Sequence, residues 1–193
     1  MKAILKVIQL HKNNTTLIKK AAKNNREAQQ VLFDTHAPKM LSVCRYYVKD
    51  FQKAEEVMLN GFLKAFTHLK QFQDVGSFEG WLRKIMVREA ISYLRQAKKI
   101  EFPVDVTESD RYHESYNNIH SNMNVDQIQQ LIDQLPDGYK VVFVMYAIEG
   151  YKHHEIANML NISEGTSKSQ LFKARKQLQQ ALHGFNTTHY GTK

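Results

Sequence analysis

Hydrophobic positions recur along this chain at the spacing of amphipathic helices. From Ala54, apolar and small residues fall at offsets of 0, 3, 4, 7, 8, 11, 12 and 15, which places them on one face of a helix. Gly76 and Ser77 interrupt the pattern, and the Ser77 side chain is suited to cap a second helix, predicted to run to about Ala97. The apolar face of that second helix comprises Leu82, Met86, Ala90, Tyr93 and Leu94. These periodicities predict a first helical module.

The periodicity disappears between residues 101 and 124, a polar and acidic stretch rich in Asn, Ser and His. This composition is typical of a flexible linker. Helical spacing returns at Val125, Ile128, Leu131, Ile132 and Leu135. The three prolines, Pro38, Pro103 and Pro136, are predicted to lie at the edges of helices.

The segment YKVVFVMYAIEG, residues 139–150, has two interpretations. Its Val and Phe content favours a strand by propensity. Several of its apolar and aromatic side chains nevertheless fall at helical offsets, and a lone strand would have no partner. These side chains are Tyr139, Val142, Phe143, Tyr146 and Ala147. We interpret the segment as a buried helix, and the predicted fold class is therefore all-α.

Residues 153–182 carry the strongest local motif, because a short helix, a tight turn and a second helix capped by Ser163 are typical of a helix-turn-helix. The inner face of the second helix is predicted to comprise Leu171, Ala174, Leu178 and Leu182. Polar side chains near its start can meet base edges, and its cations can neutralise phosphates. The side chains predicted to point mostly outward are Glu164, Thr166, Ser167, Lys168, Gln170, Lys173, Arg175 and Lys176. A helical hairpin with a basic outer face and no DNA-binding role is the alternative.

Charge divides the chain in the same way as the periodicity. Residues 1–100 carry 19 basic and 8 acidic side chains, and residues 101–135 carry one basic and seven acidic ones. Residues 136–193 carry seven basic and four acidic side chains, and the whole chain has a formal charge of +8. Two basic modules joined by an acidic tether are suited to a polyanion, although solvated faces of an ordinary protein would also be basic.

The helix after Gly76 carries a basic stripe, with Lys84, Arg88, Arg95, Lys98 and Lys99 at offsets of 0, 4, 11, 14 and 15. Such a stripe is suited to follow a phosphate backbone. The aromatic side chains Phe72, Phe78 and Trp81 lie close by in the sequence. They can stack on unpaired bases, as single-strand binders require, or belong to the core.

Other chemistry finds little support in the sequence. His154 and Glu155 begin a zinc-protease pattern, but Asn158 replaces its second His, so we predict no metal site and interpret His153 and His154 as surface or turn residues. Cys44 is predicted to be a buried apolar residue. No phosphate-binding glycine loop or nucleophile elbow is present, and we predict no catalytic residue and no cofactor. The absence of an apolar run long enough to span a membrane, or of a signal peptide, predicts a cytoplasmic protein without membrane insertion.

The motifs together resemble a known family. LSVCRYYVKDFQKAEEVMLNGFLKAF and GSFEGWLRKIMVREAISYLR are similar to conserved region two of bacterial RNA polymerase sigma factors. LPDGYKVVFVMYAIEGYKHHEIANMLNISEGTSKSQLFKARKQL is similar to region four. The gap between the two is too short for region three, so the chain resembles the extracytoplasmic-function (ECF) group. The resemblance implies region two at 15–100, a linker at 101–124 and region four at 125–183.

This resemblance also implies partners and roles. The helix from Ala54 to Phe66 would bind the clamp coiled coil of core RNA polymerase, and the polymerase flap and an anti-sigma factor are further expected partners. Its candidate contacts are Glu55, Glu56, Leu59, Asn60 and Leu63. Leu59 and Leu63 form a narrow seam off the main apolar face, suited either to a partner or to a neighbouring helix. The segment from Phe72 to Lys99 would open and hold the −10 element of promoter DNA, and the helix-turn-helix would bind the −35 element.

Four positions depart from the family pattern. Leu59 and Asn60 stand where the family commonly has Gln and an acid, and Gln170 and Lys173 replace two arginines of the recognition helix. Because Gln pairs with adenine where Arg prefers guanine, the preferred DNA sequence is expected to differ. Two other functions stay open from the residues alone: a helix-turn-helix regulator that acts without polymerase, and a helical adaptor that binds only protein.

Overall fold

The structure, a computed structural model, describes residues 15–72, 76–97, 102 and 125–190, with side chains described as far as residue 182. Within these ranges it contains helices and no strand, which confirms the predicted all-α class. The chain divides between Tyr93 and Leu94 into two compact units. The predicted linker lies outside the described residues except for Phe102, and the predicted domain limits stay predictions.

The helices of the first unit begin at capped positions. Ala28 N–H donates to Asn25 Oδ1 at 2.8 Å, and Lys53 N–H donates to Asp50 Oδ1 at 2.9 Å. The predicted Ser77 cap is confirmed, because Gly80 N–H donates to Ser77 Oγ at 3.0 Å. The helices are α1 (15–21), α2 (Arg26–Tyr47), α3 (Phe51–His68), a 3₁₀ turn (Leu69–Gln71) and α4 (Phe78–Gln96).

The core of the first unit is built from the apolar stripes of α2, α3 and α4. The Phe33 and Phe62 rings of α2 and α3 lie 4.7 Å apart. Cys44 is fully buried, and its burial, with a smaller contribution from Glu89, raises the pKa of the thiol to about 12. This confirms that Cys44 is an apolar core residue. The other fully or nearly fully buried side chains include Leu32, Met40, Val43, Tyr47, Leu82, Met86, Val87 and Ala90.

Pro38 corrects one prediction, because it lies inside α2 and not at a helix edge. A proline there removes one backbone hydrogen bond and costs about 3 kcal/mol in an isolated helix. Leu32 before Pro38 and Met40 and Val43 after it are all buried, so burial on both sides holds the two halves in one helix.

Gly61 of α3 lies directly against a side chain of α4. A Cβ atom built at Gly61 would overlap Sδ of Met86, a fully buried residue of α4. Only glycine leaves room for Met86 in this position. The ion pair between Lys64 and Glu89, with Nζ and Oε1 at 2.7 Å, joins the same two helices beside this contact.

The second unit contains α5 (Val125–Gln134), α6 (Asp137–Phe143), a π-turn (Val144–Ile148), α7 (His153–Leu160) and α8 (Glu164–Tyr190). The segment YKVVFVMYAIEG is a helix as predicted, with Val141, Val142, Val144 and Met145 fully buried. Of the five side chains at the predicted helical offsets only Val142 is buried, and Ala147 is exposed. Its end was not predicted: the helix widens into the π-turn, and Gly150 follows at φ +76°. This turn places Tyr146 beside α7.

We predict that Gly61→Val lowers the free energy of unfolding by about 1–3 kcal/mol, because the added methyl groups overfill the contact with Met86. Asn60→Val is the matched control, since residue 60 is exposed on the same helix and the change should stay within about 0.5 kcal/mol. Urea denaturation followed by far-UV circular dichroism measures both. Equal effects of the two substitutions would contradict a special role for Gly61.

Candidate nucleic-acid interface

The turn between α7 and α8 has the backbone of a helix-turn-helix. Asn161 ends α7 in the left-handed conformation, with φ 56° and ψ 50°, and Ile162 N–H donates to the Ala157 carbonyl at 3.1 Å. Thr166 N–H donates to Ser163 Oγ at 2.9 Å, which confirms Ser163 as the cap of α8. The first turn of α8 therefore starts at a fixed residue and in a fixed direction.

The inner sides of α7 and α8 are apolar. Ile156 and Leu160 of α7 and Leu171 and Ala174 of α8 are each at most 4% exposed. Leu178 and Leu182 continue this side of α8 and are half-buried. The predicted inner face of α8 is thus the face that the structure buries.

The outer face of α8 is a row of side chains spaced four residues apart. Glu164, Lys168, Phe172 and Lys176 lie on this row, and all four are exposed. Phe172 was not among the predicted DNA contacts, although it is 46% exposed. The signal in the sequence was an aromatic residue in phase with Lys168 and Lys176. Three further predicted contacts, Thr166, Lys173 and Arg175, are half-buried at the sides of this row.

Ser167 and Gln170 correct the prediction that they point outward, because their exposed fractions are 0% and 1%. Residue 167 precedes Leu171 by four positions and residue 170 precedes Ala174 by four, so both continue the apolar stripe. Gln170 Oε1 has no hydrogen-bond partner within the described ranges. In this conformation neither side chain can contact a base.

His153, predicted to be a surface or turn residue, is partly exposed and has a hydrogen-bond partner in α8. It is half-buried at the first position of α7, where its Nδ1 atom and Ser167 Oγ share a hydrogen bond of 2.9 Å. The neighbouring His154 is exposed, as predicted. Among the described residues, no group of His, Cys, Asp or Glu side chains could hold a metal ion.

The side chain of Tyr146 connects His153 to α8. The rings of Tyr146 and His153 stack with centroids 4.7 Å apart, and the Arg175 guanidinium lies 5.7 Å from the centre of the Tyr146 ring. Burial is the main cause that lowers the pKa of His153, Lys168 and Arg175 lower it further, and Glu164 opposes them. Neutral His153 is therefore the form favoured at neutral pH. Arg175, a predicted phosphate contact, contacts an aromatic ring in this structure.

The predicted −10 residues form a ring cluster and a basic stripe. Phe78 is buried, and it lies 5.7 Å from Phe72 and 5.8 Å from Trp81, which are both half-buried. The His36 ring packs edge-on against Phe78, and burial lowers the pKa of His36, a shift that Glu79 opposes and Lys39 adds to. The exposed members of the stripe are Lys84, Arg88 and Arg95, and Lys98 and Lys99 lie outside the described residues.

The predicted polymerase contacts all lie on the exposed face of α3. Leu59 is 49% exposed and Leu63 is 67% exposed, so the seam that they form faces away from the core of the first unit. Phe51 lies eight residues before Leu59, about two turns earlier on the same helix; it is 58% exposed and was not among the predicted contacts. We define the α3 surface as Phe51, Glu55, Glu56, Leu59, Asn60 and Leu63, all exposed.

Replacing Gln170 with Met is expected to raise the free energy of unfolding by about 1 kcal/mol, since it removes a buried carbonyl oxygen that lacks a partner. Gln177→Met, at an exposed position of the same helix, should change it by less than about 0.5 kcal/mol. Urea denaturation of the full chain measures both values. Destabilisation by Gln170→Met alone would mean that the Gln170 amide is held by favourable hydrogen bonds.

Comparison with known proteins gives two family matches. Residues 32–100 match the model of sigma-70 region 2, and residues 125–178 match that of sigma-70, region 4. The RNA polymerase sigma-H factor of Pseudomonas aeruginosa is 25% identical over 179 residues, which cover 86% of this chain and 92% of the relative. The ECF RNA polymerase sigma factor SigM of Bacillus subtilis is 29% identical over 136 residues, or 67% of this chain and 80% of the relative.

A solved structure shares the fold. It is the sigma factor RpoE of Bartonella quintana in complex with the anti-sigma factor NepR. The TM-score is 0.52 at 19% sequence identity, and the match covers 80% of this chain and 96% of that one. The described part of the chain contains no helix that is long and apolar enough to cross a membrane.

Proposed function

The chain belongs to the sigma-70 family of RNA polymerase sigma factors, in its ECF group, and from this premise we propose which surface of each unit binds polymerase and which binds promoter DNA. A sigma factor of this family binds core RNA polymerase and directs the initiation of transcription at promoters. One observation supports the assignment of surfaces: α3 and α8 each bury one apolar stripe and expose another face. The exposed face is apolar on α3 and carries lysines on α8.

The exposed row of α8 is proposed to bind the −35 element in the major groove. Lys168 and Lys176 are suited to phosphates, and Glu164 can accept a hydrogen bond from a cytosine amino group. The Phe172 ring, on the same row, is suited to contact a thymine methyl group. Thr166 lies in the first turn of α8, where side chains reach base edges in this type of motif.

The cluster and stripe of α4 are proposed to bind the −10 element. Lys84, Arg88 and Arg95 can neutralise the phosphates of a separated strand. Phe72 and Trp81 are partly exposed and are suited to stack on unpaired bases. Phe78 is buried, and its ring packs against both of them. This division assigns the first two rings to DNA and the third to the core.

The α3 surface is proposed to bind core polymerase. Exposed large apolar side chains on one helix face are typical of a protein interface, and here Phe51, Leu59 and Leu63 are flanked by Glu55 and Glu56. Lys53 Nζ and Glu56 Oε2 form an exposed ion pair of 2.9 Å at one edge of this surface.

An anti-sigma factor is a further proposed partner, and the Bartonella relative was solved in complex with one. Such a partner could inhibit by covering the α3 surface, because its apolar side chains are needed by polymerase. We further propose that the chain acts in the cytoplasm, where polymerase is, and that it has no catalytic residues or cofactor of its own. Energy for strand opening would come from binding to unpaired bases and to polymerase.

Promoter-directed initiation is tested by adding the purified chain to core polymerase with genomic DNA as template and mapping the transcript starts. The expected result is a set of starts that share two upstream elements and depend on the chain. Core polymerase alone is the control. The proposal is wrong if the starts are the same with and without the chain. A regulator that acts without polymerase would bind duplex DNA and give no new starts.

We expect Leu59→Asp with Leu63→Asp to weaken binding to core polymerase by at least about tenfold, because apolar anchors of an interface typically contribute about 2 kcal/mol each. Val31→Asp is the matched control, since Val31 is exposed to a similar extent, 48%, on α2. Size-exclusion co-elution or titration with labelled core polymerase measures the affinity, and circular dichroism checks the fold. Undiminished binding by the double variant would rule out the α3 surface as the interface.

A further inference from the structure

A hydrogen-bonded pair, one member fully buried and the other half-buried, joins the two helices of the helix-turn-helix. His153 is the first residue of α7, and Ser167 is the fourth residue of α8. The 2.9 Å hydrogen bond between His153 Nδ1 and Ser167 Oγ spans the whole turn. Around it, the contact between the two helices is made by apolar side chains such as Ile156, Leu171 and Ala174, which pack without fixing a direction.

The burial of Ser167 makes this hydrogen bond directional and costly to lose. The Ser167 side chain is 0% exposed, so no water can replace His153 as its partner without rearrangement. A buried hydroxyl that loses its partner destabilises the folded protein, because the hydroxyl then has neither water nor protein to bond to. Ser167 also lies between Thr166 and Lys168, two of the candidate DNA contacts. A shift of Ser167 would therefore move both neighbours.

The surroundings of His153 hold its ring in one orientation. Tyr146, from the π-turn, stacks on the ring at 4.7 Å. The charged groups that act on it are Lys168, Glu164 and Arg175 of α8. Because burial and the two cations lower the pKa of His153, the ring is neutral at neutral pH and does not compete with Lys168 for an anion.

We propose that His153 and Ser167 form a positioning pair that sets the register of the first turns of α8 against α7, and thereby determines how strictly the −35 element is read. This inference rests on the proposed function, because it assumes that the outer row of α8 binds DNA. Neither side chain touches DNA in this arrangement: Ser167 is fully buried and His153 acts through it.

The test compares variants in the holoenzyme reconstituted from core polymerase and the full chain. His153→Phe keeps a ring for Tyr146 but removes the nitrogen, and Ser167→Ala removes the hydroxyl. His154→Phe is the matched control, because His154 is the exposed neighbour on the same helix. Initiation is measured on a promoter mapped with the wild-type chain and on the same promoter with its −35 element scrambled, and the ratio of the two rates reports the specificity.

Each of the two substitutions is expected to lower this ratio by about fivefold, the effect of one lost hydrogen bond. The double variant should be no worse than either single variant, because the two side chains act as one unit. Initiation on the scrambled promoter should stay constant, which a general loss of folded protein would not allow. His153→Asn, whose amide can occupy the place of Nδ1, should restore most of the ratio and also serves if His153→Phe does not fold.

Three results would each overturn the positioning role. The specificity ratio could stay unchanged in Ser167→Ala, the double variant could lower it by the product of the two single effects, or His154→Phe could lower it as much as His153→Phe. The reaction with the wild-type chain distinguishes failure of the positioning role from failure of the proposed function. If the wild-type holoenzyme itself initiates equally well on the mapped and the scrambled promoter, the assignment of the −35 element to α8 is wrong, and the inference falls with it.

Discussion

Each functional helix of this protein has to bury one stripe of its surface within its own unit, and only the opposite stripe is left for a partner. On α3 the buried stripe contains Ala54, Phe62 and Ala65, and the exposed one contains Leu59 and Leu63. On α8 the same division separates Leu171 and Ala174 from the row that begins at Glu164 and Lys168. Small residues sharpen the division, since Gly61 lets α4 come close enough for Met86 to fill the core. Burial of the inner stripe thus determines which side of each helix faces outward, whereas the residue types on the outer stripe are free to vary.

This constraint explains why two polar residues of α8 are unavailable to DNA. Ser167 and Gln170 fall on the inner stripe, and a helix cannot rotate to expose them without exposing Leu171 and Ala174. The two buried side chains differ in their hydrogen bonding. Ser167 Oγ bonds to His153, whereas Gln170 Oε1 has no hydrogen-bond partner in the described part of the chain. A satisfied buried polar group gives orientation as well as stability, and an unsatisfied one gives neither. The departure from the family pattern at residue 170 therefore concerns packing more directly than the choice of base.

Local patterns were sufficient for the helices, their caps and the division of α3, because periodicity and capping depend on residues within one or two turns. Ser77 and Ser163 cap their helices and Leu59 and Leu63 face outward, as the spacing indicated. What could not be predicted depends on contacts between distant segments. Pro38 stays inside α2 because both flanks are buried, and His153 is partly covered because Ser167 and Tyr146 contact it from other elements. Phe172 was overlooked because only polar and charged side chains of α8 were considered as DNA contacts, although the phase that places Leu171 on the inner face places residue 172 on the outer row.

The distribution of charge gives a reason why two DNA-binding modules should be carried by one chain. The outer row of α8 has two cations, Lys168 and Lys176, and Glu164 offsets part of their charge. If this row binds DNA as proposed, counterion release from so few phosphate contacts provides little affinity at physiological salt, since the slope of log affinity against log salt scales with the number of phosphates neutralised. Linking a second module raises the effective concentration of each at its own element, so two weak contacts can act as one stronger contact. Under the proposed assignment, discrimination among promoters depends on both elements being present together, which neither basic module could achieve by charge alone.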